Sequence, residues 1–151
     1  MTRSPHMFQR SMPVLEVTDM ERSVAFYRDK LGFHVSTSGE PASFVLMQRG
    51  TVSIALDQSQ RERAANNQWW AAYIYVADAR KVRDEFAGNG VAIHRAIEDM
   101  PYGCRDFDVM DPDGYILGFG QPLNIAADDL GPGLGPDRGR DNTATENASR
   151  P

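Results

Sequence analysis

The residues of this 151-residue chain that could do chemistry are mostly aromatic and acidic rather than nucleophilic or basic. Trp69 and Trp70 are adjacent, Tyr73 and Tyr75 are two apart, and Tyr102 sits in a Pro-Tyr-Gly segment. Phe44 and Phe107 lie within strand-like runs. Large flat rings at a cavity mouth stack on planar ligands, with about 0.5–1.5 kcal/mol per contact beyond burial. Glu16 and Asp57 add carboxylates, which suit a cationic ligand by charge and by steering, and Ser53 shares the alternation of Asp57. Asp106 and Asp108 alternate with Phe107 and Val109, and the sequence leaves open which pair faces a ligand. Covalent chemistry has little support. The three histidines, His6, His34 and His94, are scattered, so they suggest no Ser-His-Asp arrangement. Cys104 has no activating base nearby, and no phosphate-binding or dinucleotide fingerprint occurs.

The elements that must position these residues come in two copies. Met12–Val17 alternates with period two and reads as a strand. Asp19 stands at a helix N-cap, and Met20, Val24, Tyr27 and Leu31 form one apolar stripe that ends at Gly32. Strands follow over about 33–37, 44–48 and 52–56, the last two joined by a tight turn at Arg49-Gly50. The same order then recurs. Strand 71–76 leads to a helix capped by Asp78 with the stripe Ala79, Val82 and Phe86, and Gly88-Asn89-Gly90 stops it. Short strands over 91–94, 105–110 and 115–119 complete the second copy, with Asp111-Pro112-Asp113-Gly114 as a turn. Two strand–helix–strand–strand–strand units define an α+β fold.

In each unit one sheet face is aliphatic and has a helix to cover it. The other face carries Met12, Val14, Glu16, Ser53, Ala55, Asp57, Ala71, Tyr73, Tyr75, Ile116 and Gly118, a poor composition for a core. Curved sheets with such a face line a cup-shaped cavity of the kind that takes a small molecule. The domain is expected to span 11–122, with modules of about 11–58 and 69–122. Residues 1–10 would form a flexible arm, and 123–151, rich in Gly, Pro and polar residues, a disordered tail. A formal charge of −5 argues against nucleic acid as a partner. No run is long and apolar enough to span a membrane. A single cysteine excludes an intrachain disulfide and fits a cytoplasmic setting.

Paired βαβββ units with PVLEVTDMERSVAFYRDKLGF at the front and DPDGYILGF at the back resemble the vicinal-oxygen-chelate superfamily, which holds glyoxalase I, extradiol dioxygenases and the fosfomycin- and bleomycin-resistance proteins. The resemblance covers about 11–122 and implies that family's fold. In its enzymes a divalent metal is held from four inward strand positions, which here fall on Met12, Ala55, Ala71 and Gly118. None of these carries a nitrogen or oxygen donor, so no metal or other cofactor is expected. The bleomycin-resistance branch has this fold without the metal. Similarity to it implies a homodimer that exchanges its N-terminal arms and sequesters a cationic, partly aromatic antibiotic, with Tyr102 at a stacking position. A metal-dependent lyase, dioxygenase or transferase of the same superfamily is the alternative.

Overall fold

The structure, a computed structural model, describes residues 7–39, 42–58 and 69–123. Expectations for residues 1–6 of the arm and for 124–151 of the tail lie outside the described residues. The elements run β1 (Val14–Val17), α1 (Met20–Ala25), a π turn (Phe26–Lys30), β2 (His34–Ser38), β3 (Phe44–Arg49) and β4 (Val52–Gln58). The second module has β5 (Trp70–Tyr75), α2 (Ala79–Gly88), β6 (Ile93–Asp99), β7 (Cys104–Met110) and β8 (Ile116–Pro122). They build two four-stranded mixed sheets, ordered β1-β4-β3-β2 and β5-β8-β7-β6. In each, the first strand lies parallel to the last and the remaining pairs are antiparallel.

The repeat extends to individual hydrogen bonds. Asp19 and Asp78 each cap their helix, accepting from Arg22 N at 3.1 Å and Lys81 N at 3.0 Å. Gln58 and Gln121, near the ends of β4 and β8, accept from the first helical amides, Met20 N and Ala79 N, at 3.1 and 3.0 Å. These side chains occupy amides that a helix start leaves unpaired. Phe33 N and Val91 N then return to Tyr27 O and Phe86 O, both at 2.9 Å.

The two copies differ in the last helical turn. One more residue separates Tyr27 from Gly32 than separates Phe86 from Gly90. The surplus widens the first helix into a π turn, with Leu31 N bonded to Phe26 O at 3.2 Å. The expected single α-helix from Met20 to Leu31 is therefore α-helical only through Ala25. The sixth strand differs more: it was expected over 91–94 and forms instead at Ile93–Asp99, where register irregularities break the alternation.

The core is one cluster shared by both modules, and the aliphatic strand faces supply it as expected: Leu15, Val17, Ile54, Leu56, Ile74, Leu117 and Phe119 are buried. The β7–β8 turn reaches over the first helix. Tyr27 Oη donates to Asp111 Oδ2 at 2.8 Å, and Thr18 Oγ1 donates to Asp113 Oδ1 at 2.6 Å. The β3–β4 turn is shorter, since Arg49 pairs directly with Val52 in the ladder. It leaves a cleft of about 360 Å³ lined by Leu31, Phe33, Val52, Val82 and Phe86.

Candidate functional site

The second sheet carries a connected set of polar and aromatic side chains on the face away from α2. Its frame is set by register. Tyr73 stands opposite Gly118, and Tyr75 opposite Gly120. Gly118 stands opposite Asp108, and Gly120 opposite Asp106. Arg95 on β6 pairs with Asp108. A row of rings, glycines, carboxylates and a guanidinium thus crosses the sheet.

The glycines let the rings lie down. A Cβ on Gly118 would stand 2.8 Å from both Trp70 Nε1 and Tyr73 Cδ2, and one on Gly120 would stand 1.8 Å from Tyr73 Oη. With no side chain on β8, Tyr73 passes over that strand and donates to Asp106 Oδ2 at 2.9 Å. Trp70 Nε1 reaches Asp108 Oδ1 at 2.8 Å in the same way. Tyr102, from the β6–β7 turn, also donates to Asp106 Oδ2. Arg95 Nε donates to Asp108 Oδ2 at 2.9 Å, and Arg95 Nη2 donates to Asp106 Oδ1 and to Asp108 Oδ1. Asp106 is fully buried and Asp108 nearly so, yet every lone-pair direction in use meets a donor, as a buried carboxylate requires.

The rings are mutually fixed. Trp70 and Tyr73 have centroids 4.6 Å apart, and Trp70 meets Tyr102 edge to face at 6.3 Å. Tyr75 packs edge to face on Tyr73 at 5.2 Å. Burial and the hydrogen bond to Asp106 push the Tyr73 hydroxyl well above the usual phenol range, and the same two causes raise Tyr102. Hydrogen bonding to Asp108 leads the causes that raise the Arg95 guanidinium. The phenols stay protonated and act as donors, and the cluster forms an aromatic platform over a floor of two carboxylates that share one guanidinium.

Of the residues expected from sequence, Trp70, Tyr73, Tyr75 and Tyr102 come together here. Trp69 lies just before β5 and is 79% exposed. Trp70 joins the platform through a register irregularity between Trp70 and Ala72, which puts it on the face that strict alternation gives to Ala71. Ala71 packs against the core instead. Phe107 also belongs to the core, stacked on Phe119 at 5.5 Å and edge to face with Phe86 at 6.1 Å under α2. It is therefore on the opposite face from the platform, and Asp106 and Asp108 hold the face that the sequence left undecided. The first sheet groups the remaining candidates. Glu16 is in register with Asp57 and Asp57 with Phe44, a row across β1, β4 and β3, and Ser53 lies four positions back along β4, beyond Ala55. Among the described residues no ladder joins this sheet to the second one.

Arg95 is the site member sequence reasoning left out, and Asp106 and Asp108 are the two it left undecided. The signal for them was present in the alternation of Asp106 and Asp108 with apolar neighbours, and in two glycines at alternate positions of β8. The four family metal positions do not fit a metal. Met12 offers a thioether, Ala55 and Ala71 methyl groups, and any side chain at Gly118 would collide with Trp70 and Tyr73.

The Glyoxalase/Bleomycin resistance protein/Dioxygenase superfamily model matches residues 9–119, and the chain belongs to that superfamily. A bleomycin resistance protein of Geobacillus stearothermophilus is 25% identical over 128 residues, covering 76% of this chain and 97% of the relative. A bleomycin-binding protein from bleomycin-producing Streptomyces verticillus, solved with copper(II)-bleomycin, is 26% identical with a TM-score of 0.63, covering 74% of this chain and 94% of that one. The bleomycin resistance determinant encoded on transposon Tn5 shares the fold at 22% identity and a TM-score of 0.65, covering 76% and 98%. No helix among the described residues is long and apolar enough to cross a membrane.

Proposed function

We propose that this protein is a non-catalytic small-molecule binder that sequesters an antibiotic of the bleomycin type. The observation that carries this is the platform itself. Trp70, Tyr73 and Tyr102 are pinned by buried carboxylates over a glycine-paved strand, at the place where the family's enzymes would need a metal donor. Rings fixed in this way lose little freedom when a planar ligand stacks on them. Relatives named for bleomycin resistance or bleomycin binding support the ligand class. Glu16 and Asp57, side by side on neighbouring strands, suit the cationic part of such a ligand.

The protein acts as a homodimer in this proposal. Val14 is 53% exposed and Phe44 43% exposed on the open face of the first sheet, and Met7 and Phe8 in the N-terminal segment are almost fully exposed. A second copy covering these surfaces would set the first sheet of one subunit against the platform of the other. Protection follows from mass action, since the bound drug is withdrawn from its target. Titration with metal-loaded bleomycin should quench tryptophan fluorescence and saturate near one or two ligands per dimer, with a Kd of about 1 μM or below, a free energy of roughly −8 kcal/mol. A flat signal up to millimolar drug would remove this function.

A further inference from the structure

Asp106 and Asp108 leave no acceptor oxygen open to a ligand, because Trp70, Tyr73, Tyr102 and Arg95 already donate to both carboxylates. The charged group left at the surface of the platform is Arg95, whose side chain is 30% exposed. Its Nε and Nη2 are held by the carboxylates, whereas Nη1 meets only the Met100 thioether at 3.8 Å among the described residues. A thioether is a weak acceptor, so this donor is nearly unspent. Arg95 shares Asp108 Oδ1 with the Trp70 indole and shares the Asp106 carboxylate with Tyr102. Its guanidinium therefore sits next to the polar ends of both rings, and a planar group stacked on Trp70 comes close to it. Two carboxylates fix the planar fork, so it can donate with little further loss of side-chain freedom.

We infer that Arg95 is a recognition residue, and that the ring a ligand lays on Trp70 carries an acceptor oxygen, as carboxamide, carboxylate or ring carbonyl, for Arg95 Nη1. This rests on the platform being the ligand site. It also divides the site by charge: the acceptor-bearing ring belongs at the second sheet and any cationic group at the Glu16–Asp57 row.

Naphthalene carboxylate, carboxamide and carboxamidine of one substitution pattern test this, because they share a ring and nearly a shape. Dissociation constants come from ligand-observed NMR on the full chain. The carboxamide should bind about tenfold more tightly than the amidine, the size of one hydrogen bond to a charged donor, with the carboxylate between them because two aspartates face one guanidinium. Arg95→Met should abolish that preference, with the amidine gaining. Arg95→Lys, which keeps the charge without the fork, covers the case in which the methionine variant does not fold; it should hold the carboxylate and lose the carboxamide. An amidine that binds most tightly to the unaltered protein, a preference unchanged in both variants, or binding of none of the three at millimolar concentration would overturn the inference. Bleomycin that fails to bind while the naphthalene preference stands removes only the antibiotic assignment, and the reverse result removes only the role of Arg95.

Discussion

Tyr73 bonds to Asp106 by passing over the position of a side chain that Gly120 does not have: its hydroxyl lies 1.8 Å from where a Cβ on that glycine would stand. Gly120→Ala is therefore expected to expel the ring from its seat rather than merely to tighten a contact. The loss of a hydrogen bond to a buried carboxylate puts the cost at about 1.5–3 kcal/mol. In a Tyr73→Ala background the same glycine change should cost less than about 0.5 kcal/mol, because the three atoms nearest that Cβ all belong to the Tyr73 ring. Urea denaturation of the four proteins of that cycle measures the coupling, and additive effects would show that the two positions do not interact.

Asp106 is where the platform is tied together. It accepts from Tyr73, Tyr102 and Arg95, and it is fully buried. Asp106→Asn brings an N–H₂ group to face donors, and about 3–5 kcal/mol of stability should go with the broken pair. The tyrosines report the change independently. Burial and the hydrogen bond to Asp106 hold both phenols above their ordinary range, so removing the carboxylate should bring them down toward it. Alkaline spectrophotometric titration of folded protein should show more tyrosine ionising in the variant than in the parent. Identical titration curves would place the phenols elsewhere.

The Tyr27–Asp111 contact gives a pH dependence whose sign can be worked out. Burial raises the Asp111 carboxyl above the usual carboxylate range, against the lowering by Tyr115, Tyr27 and Asp113. The folded state thus holds the Asp111 proton more tightly than the unfolded chain does. Stability from this group is fully present below the unfolded carboxyl value and is lost as pH rises through the folded one. The stability difference between parent and Asp111→Asn should therefore shift in favour of the parent between roughly pH 7 and pH 4. Denaturation at several pH values measures it, and a difference that moves the other way would mean the carboxylate is favoured in the fold.

Much of this architecture was legible in the chain, and the exceptions have local causes. Aspartates 19 and 78 before equivalent stripes, and glycines after them, gave both helices, because caps and stops are short-range chemistry. The π turn escaped because apolar spacing of four, three and four is equally compatible with a regular helix; only comparison with the other copy reveals the surplus residue. Trp70 and Ala71 exchanged faces because alternation holds only until a register shift interrupts it, and nothing in Gln68-Trp69-Trp70-Ala71 signals one. Phe107 looked like a ligand contact by composition, but its parity is that of the helix-covered face. Arg95 was invisible because its strand is broken by irregularities on both sides, so no periodic pattern pointed it at the two aspartates.

The two ends of the module interface should differ in strength although they are related by the repeat. At one end Tyr27 and Asp111 are buried together. At the other, Arg49 donates to Glu85 Oε1 at 2.8 Å, with side chains 39% and 41% exposed. Water and salt screen an ion pair this exposed, and its net worth falls to about 0–1 kcal/mol. Arg49 also donates to Leu31 O at 2.8 Å, so it keeps a partner when the carboxylate is removed. Glu85→Gln should therefore change stability by under about 1 kcal/mol, and that small effect should shrink further in high salt. Tyr27→Phe should cost more, about 1–3 kcal/mol, with little response to salt, since it leaves a buried carboxyl short of a donor. Parallel urea denaturation at low and high ionic strength compares the two. A larger loss for Glu85→Gln than for Tyr27→Phe would mean that the exposed pair, rather than the buried one, holds the modules together.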